Sequence, residues 1–182
     1  MNIVFAGTPD FAVPSLEKIC SNDTINLKAV ITQPDKRRGR GKKLQFTPVK
    51  KKALEYNIDV LQPENINSKE NIAKIESMDI DLIVVVAYGQ ILSKKLLNIP
   101  VKGCINLHAS LLPEYRGSSP IQQAIMDGKD ITGVTTMFMD EGLDTGDIIY
   151  QKEVKIKDEY NAGDLHDKLA EVGAELLVET II

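Results

Sequence analysis

Cysteine is scarce in this chain. Cys20 and Cys104 are its only two, too few and too far apart for a disulfide framework or a zinc site. No other cluster has metal-ligand spacing, so no metal is expected. No apolar run approaches the ~20 residues of a membrane helix, and no membrane span is expected. Met1-Asn2-Ile3-Val4-Phe5 reads as a strand from the first residues. It lacks the basic lead and cleavage site of a secretory signal, so a reduced, cytoplasmic location is expected. The dinucleotide fingerprint is also missing, because Gly7-Thr8-Pro9-Asp10 offers one glycine and a rigid proline, which argues against a nicotinamide cofactor. There is no internal repeat and no interior linker. The 182 residues, 43% hydrophobic and 26% charged, suit one globular domain with a sizeable core.

What the chain does have is an uneven charge. The net charge of -4 alone argues against a nucleic-acid binder. Between Asp35 and Lys52, however, nine basic residues and one acid give a local balance of +8, while the remainder carries -12. A basic segment on an acidic body is a localised anion-binding feature. Its core, Arg38-Gly39-Arg40-Gly41-Lys42-Lys43, has nothing apolar to fold around, and a solvated loop is the plain alternative. Arginine forks and lysine charges suit phosphates.

Hydrophobic patterning supplies the architecture. Asn2 to Ala6 and Leu27 to Thr32 read as strands, with a helix over about Phe11 to Cys20 between them. Gln33 to Thr47 reads as a long polar loop without structure of its own. A helix over Pro48 to Tyr56, a short strand over Ile58 to Leu61 and a helix capped by Ser68 follow. Ile80 to Ala87 is the most apolar strand and should be central, buried on both faces. After it come a helix around Leu92 to Leu97 and a strand over Cys104 to Leu107. The chain continues with a turn over Ser110 to Pro113, a helix over Pro120 to Met126 and a strand over Thr132 to Met139. An acidic loop leads to a strand over Ile148 to Lys157, antiparallel to its predecessor, and Ala162 to Ile182 forms a long helix. This alternation predicts an α/β fold with a doubly wound, mostly parallel, Rossmann-like sheet.

Asn106 and His108 stand two residues apart in the strand before the turn. In extended chain their side chains share a face, roughly 7 Å apart at ~3.3 Å rise per residue. An amide and an imidazole placed so can grip one carbonyl-sized group and exchange a proton with it. Alone, the pair could equally satisfy neighbouring backbone. Yet Gly7-Thr8, Gln33-Pro34, Tyr88-Gly89-Gln90 and Asn106 to Ser110 all follow strands. If those strands are parallel, the four turns lie on one rim, where wound sheets bind ligands.

Several segments carry a family resemblance. They are Phe5 to Ala12, Gln33-Pro34-Asp35 with Arg38 to Lys43, Val84 to Gly89, Gly103 to His108 with Ser110 to Pro113, Tyr115-Arg116-Gly117, Pro120-Ile121-Gln122 and Met139 to Asp147. Together they resemble the catalytic domain of the methionyl-tRNA formyltransferases, within the wider folate-dependent formyltransferases. The resemblance runs over essentially residues 1–182. It also implies a smaller carboxyl-terminal β-barrel domain of OB type, which these residues do not include.

The resemblance implies formyl transfer from 10-formyltetrahydrofolate to the amino group of initiator methionyl-tRNA. Asn106 and His108 would donate to the oxyanion, and Asp144 would orient His108 or accept the amine's proton through water. Local sequence alone reads Asp144 as a turn former before Thr145-Gly146. The folate would lie along the rim against Ala87, Tyr88, Gln90, Ile91 and Leu92 and against Met139, Asp140 and Leu143. Ser110, Leu111, Leu112 and Pro113 would wall the formyl end, although Leu92 and Leu111 serve equally well as core. Arg38, Arg40, Lys42 and Lys43 would grip the tRNA, and a monomer is expected. A small-amine formyltransferase, a formyltetrahydrofolate hydrolase and a simple RNA-binding module are the competing readings.

Overall fold

The computed structural model describes residues 1–38 and 43–182. Seven strands form one sheet. In chain order they are β1 (Asn2–Gly7), β2 (Asn26–Ile31), β5 (Val60–Leu61), β6 (Leu82–Val86), β7 (Cys104–His108), β8 (Ile131–Phe138) and β9 (Ile148–Lys155). A separate two-stranded ribbon pairs β3 (Lys36–Arg38) with β4 (Lys43–Gln45). The helices are α1 (Val13–Cys20), α2 (Pro48–Glu55), α3 (Lys69–Glu76), α4 (Lys94–Leu97), α5 (Pro120–Met126) and α6 (Ala162–Ile181).

The strand order is β5-β2-β1-β6-β7-β8-β9. The pairings from β5 through β7 are parallel, and β8 and β9 add antiparallel at one end. All five residues of β6 are buried, as its unbroken apolar run requires of a strand covered on both faces. On one face Ile3, Phe5, Val84 and Leu107 pack with Leu16 of α1, Val49 of α2 and Leu169 and Leu176 of α6. On the other face Val4, Ala6, Ile83, Val85 and Cys104 meet Ile72 and Ile75 of α3 and Leu96 of α4. The alternation of strand side chains thus makes a three-layer sandwich. Among the described residues no helix is long and apolar enough to cross a membrane.

Local signals set the helix ends. Thr47, Ser68 and Ser93 each accept a hydrogen bond from an amide in the first turn of α2, α3 and α4. Asn161 and Asp164 form a reciprocal capping box on α6. Pro14 falls within the first turn of α1, and a short 3-10 turn over Asp10–Ala12 leads into it. The expected helix over Leu92 to Leu97 is shorter, because Ser93 caps it and starts it at Lys94.

The expected structureless loop over Gln33 to Thr47 is corrected. Lys36 pairs with Gln45, Arg37 with Leu44 and Arg38 with Lys43 as an antiparallel hairpin. Backbone pairing requires no apolar residue, so a polar stretch can form it without any hydrophobic alternation to betray it. Arg40 and Lys42 lie outside the described residues.

Candidate active site

The rim is built as the parallel order demands. Thr8, after β1, donates from Oγ1 to the Tyr88 carbonyl after β6 at 2.7 Å. The Gln33 amide, beyond β2, donates to Thr8 Oγ1 at 3.3 Å, and Gln33 Nε2 reaches the same Tyr88 carbonyl at 3.4 Å. Three of the four strand-end turns are therefore hydrogen-bonded to one another. The fourth follows β7, which pairs with β6.

Asn106 and His108 share the face of Cys104 by alternation along β7, beyond the cover of α3 and α4. Asn106 is partly exposed and His108 is buried. His108 Nε2 lies 2.9 Å from the Tyr115 carbonyl. That oxygen can only accept, so Nε2 carries the proton and donates it. Nδ1 then faces Asp144 Oδ2 at 3.6 Å, with side chains only 7% and 13% exposed. The same Oδ2 accepts the Gly117 amide at 2.8 Å. Asp144 comes from the distant acidic loop and sits at a left-handed φ of 52°. The structure thus joins His108 and Asp144 through one short stretch, Tyr115 to Gly117, that contacts both.

The loop that delivers Asp144 folds on itself. Asp140 Oδ1 accepts the Gly142 amide at 2.9 Å and the Thr145 hydroxyl at 2.7 Å. These donors, the Thr145 hydroxyl first, hold the Asp140 carboxyl below the ordinary range. Glycine is required at 146, because a Cβ there would collide with the Phe138 carbonyl. Lys94 pairs with Glu141 at 2.7 Å and ties the loop to α4. Beside that bridge lies a cavity of about 520 Å³ lined by residues that include Lys94, Cys104, Met139 and Asp140. Asn106, His108 and Asp144 do not line it.

The other residues expected along the rim divide by direction. Ala87 and Ile91 are exposed, whereas Tyr88 and Leu92 turn inward to the α3 and α4 face. Ala87 holds a left-handed φ of 48°. The Gln90 amide is engaged by the preceding loop, accepting from Ile66 and donating to the Pro63 carbonyl at 3.1 Å. Met139 is partly buried, and Asp140 and Leu143 are exposed. Ser110 and Leu112 are buried, Leu111 is partly so and Pro113 is exposed. Leu111 packs over Gly133, where a Cβ would strike its side chain at 2.6 Å.

The turn over Ser110 to Pro113 is stapled by residues that sequence reasoning missed. Thr135 Oγ1 donates to the Ser110 carbonyl at 2.7 Å and accepts from the Leu112 amide at 3.1 Å. Gln151 Nε2 adds donations to the Leu112 carbonyl at 2.9 Å and to Thr135 Oγ1 at 3.0 Å. A hydroxyl and an amide in successive strands carry no distinguishing pattern, and only the register of Thr135 opposite Gln151 and His108 reveals the staple.

A wound α/β sheet with polar side chains gathered at the carboxyl ends of its parallel strands defines a ligand-binding protein of the open-sheet class. Within that class the chain belongs to the formyl transferase family, whose family model matches residues 1–181. It is 60% identical over 181 residues to methionyl-tRNA formyltransferase of Halothermothrix orenii, covering 100% of this chain and 57% of that protein. With the protein of the same name from Clostridioides difficile it shares 56% over 181 residues, covering 58% of that protein. The chain therefore spans less than three fifths of the length of these relatives. Among solved structures, phosphoribosylglycinamide formyltransferase from Bacillus halodurans superposes with a TM-score of 0.81 at 25% identity, covering 100% of this chain and 93% of that one. The enzyme of that name from Anaplasma phagocytophilum shares the fold, with a TM-score of 0.82 at 22% identity, over 100% of this chain and 85% of that one.

Proposed function

We propose that this chain carries the catalytic unit that moves a formyl group from 10-formyltetrahydrofolate to the amino group of initiator methionyl-tRNA. The observation that carries the reading is the meeting of His108 with Asp144 at 3.6 Å, on the sheet face that also presents Asn106. The relatives at 56–60% identity favour the tRNA substrate over a small amine.

When bound, the formylated folate supplies an electrophilic formamide carbon. The incoming amine forms a C–N bond to that carbon, the carbonyl oxygen takes the electron pair, and the bond to the folate nitrogen then breaks. The Asn106 amide donates to the developing oxyanion, a contact worth ~3 to 4 kcal/mol for one preorganised donor. His108 would share that oxyanion by turning its Nε2–H from the Tyr115 carbonyl to the substrate oxygen, with its other ring nitrogen still facing the Asp144 carboxylate. Asp144 accepts the proton shed by the amine through water, and that proton returns to the departing nitrogen. The exposed residues Ala87 and Ile91, together with Met139 to Leu143, would hold the folate ring. Pro113 and Leu111 would border its formyl end. Arg38, Arg40, Lys42 and Lys43 hold the tRNA phosphates. The protein works in the cytoplasm as a monomer. The relatives are longer than this chain, so turnover is best measured in a full-length protein carrying it.

The test offers formylated folate with methionyl-tRNA and, separately, with glycinamide ribonucleotide. Formylation of the tRNA supports the reading. Formylation of the small amine alone, or hydrolysis alone, overturns it. Alanine at Arg38, Arg40, Lys42 and Lys43 should raise KM for tRNA and flatten its salt dependence while leaving folate affinity unchanged.

A further inference from the structure

Two of the lysines between residues 35 and 52 are engaged by acidic partners within the fold. Lys52 pairs with Glu17 at 2.8 Å and with Glu55 at 2.6 Å. Lys50 is turned inward at the base of the basic hairpin. Its ammonium donates to the Asp35 carboxylate and, at 2.6 Å, to Gln62 Oε1. Gln62 Nε2 closes the ring by donating to Asp35 Oδ1 at 2.7 Å and to the Gln33 carbonyl at 3.0 Å. The ammonium also stands 4.0 Å from the centre of the Phe46 ring. Side-chain exposure is 15% for Lys50 and 11% for Asp35.

The placement in the chain gives this cluster its meaning. Asp35 immediately precedes β3 and Phe46 immediately follows β4, so one ammonium from the first turn of α2 grips both legs of the hairpin. Gln62, just past β5, pins the same point to the sheet. From there Gln33 runs through Thr8 Oγ1 to the Tyr88 carbonyl. A continuous hydrogen-bonded path thus joins the hairpin base to the rim. A sheltered ion pair is poor evidence for stability, since apolar packing of equal volume does as well. Its directed bonds do fix an angle, which apolar packing does not.

We propose that Asp35, Lys50 and Gln62 are positioning residues that lock the hairpin base to the rim, fixing where strands β3 and β4 stand relative to the Asn106–His108 pair. This rests on the tRNA reading given above. The lock presents the hairpin ready to meet phosphate backbone, so it contributes to tRNA binding and leaves the reacting groups as they are.

The test uses Asp35→Asn, Lys50→Met and the double variant in the full-length protein. Each single change should raise KM for methionyl-tRNA about tenfold, with kcat and KM for the folate within about twofold of wild type. The double variant should be no worse than the more damaged single one, because both remove the same lock. Amide hydrogen exchange over residues 36–45 should quicken, while β1 and β6 keep their protection. Faster hairpin exchange with unchanged KM for tRNA would overturn the proposal, as would additive losses or a fall confined to kcat. If the wild-type protein formylates no tRNA, the functional reading itself fails and the lock's role in tRNA binding goes with it. Activity in wild type beside indifferent variants sinks the lock alone.

Discussion

Replacing Thr135 by valine tests how far the turn beside His108 depends on a single hydroxyl. The side chain is fully buried, at 0% exposure. Valine matches its shape but removes the donor to Ser110 and the acceptor for Leu112. Two buried backbone groups then lose their partners, at roughly 1 to 3 kcal/mol each, so the loss should be about 3 kcal/mol or more. Gln151 keeps its bond to the Leu112 carbonyl, which limits the damage. For a chain of this size about 3 kcal/mol lowers Tm by roughly 6 to 12 °C. Thr135→Ser is the control, since it keeps the hydroxyl and loses one buried methyl, for about 1 kcal/mol. Urea and thermal unfolding of both variants decide the matter. A valine variant within about 1 kcal/mol of wild type, or a serine variant equally damaged, would refute the assignment of Thr135 as the staple.

Asp144→Ala should lower kcat by about a hundredfold or more while KM for the folate changes little, and Asp144→Asn should lose nearly as much if charge matters more than the tether to Gly117. Normal turnover with an unaltered pH profile in either variant would remove Asp144 from the mechanism. At Asp35, burial pushes the carboxyl up, but the Lys50 ammonium and the Gln62 amide outweigh it and hold the carboxyl below the usual range. A carboxyl lowered by folding stabilises above its unfolded pKa of about 3.9 and loses that contribution as pH falls through the folded value. The Gln62 side-chain amide signals should therefore stay constant from neutral pH down to about 4 and shift only below it. A midpoint above that value would contradict the lock. Burial pushes the Cys20 thiol up to about 11, with Glu17 adding to it, and the Cys104 thiol up to about 12. Iodoacetamide at pH 8 should therefore label both slowly until the protein is unfolded, and rapid labelling of the folded protein would count against the packing described.

Much of the architecture was legible because it depends on side-chain period. The apolar run of β6, the shared face of Asn106 and His108, the proline and serine helix starts, and the antiparallel return of β9 all follow from spacing. Much of the rest depends on backbone or on cross-strand register. The β3–β4 ribbon pairs through main-chain groups whatever its side chains are. The Tyr115 carbonyl and the Gly117 amide, which contact His108 and Asp144, belong to no residue type in particular. The rim residues beyond β6 could be placed near one another, but the inward turn of Tyr88 and Leu92 beside the outward Ala87 and Ile91 needed coordinates. Gln90, which the resemblance puts against the folate, also bonds through its side-chain amide to the loop at Pro63 to Ile66, a contact no local pattern announces.

The stretch from Tyr115 to Gly117 works as a ruler. The carbonyl at one end and the amide at the other reach an imidazole and a carboxylate that are remote in the chain, with backbone φ of 54° and 99° at those two ends. One residue more or less between them would shift either end by up to ~3.8 Å, comparable to the 3.6 Å gap it spans. The number of residues in this segment should accordingly matter more than which side chain fills its middle position, Arg116.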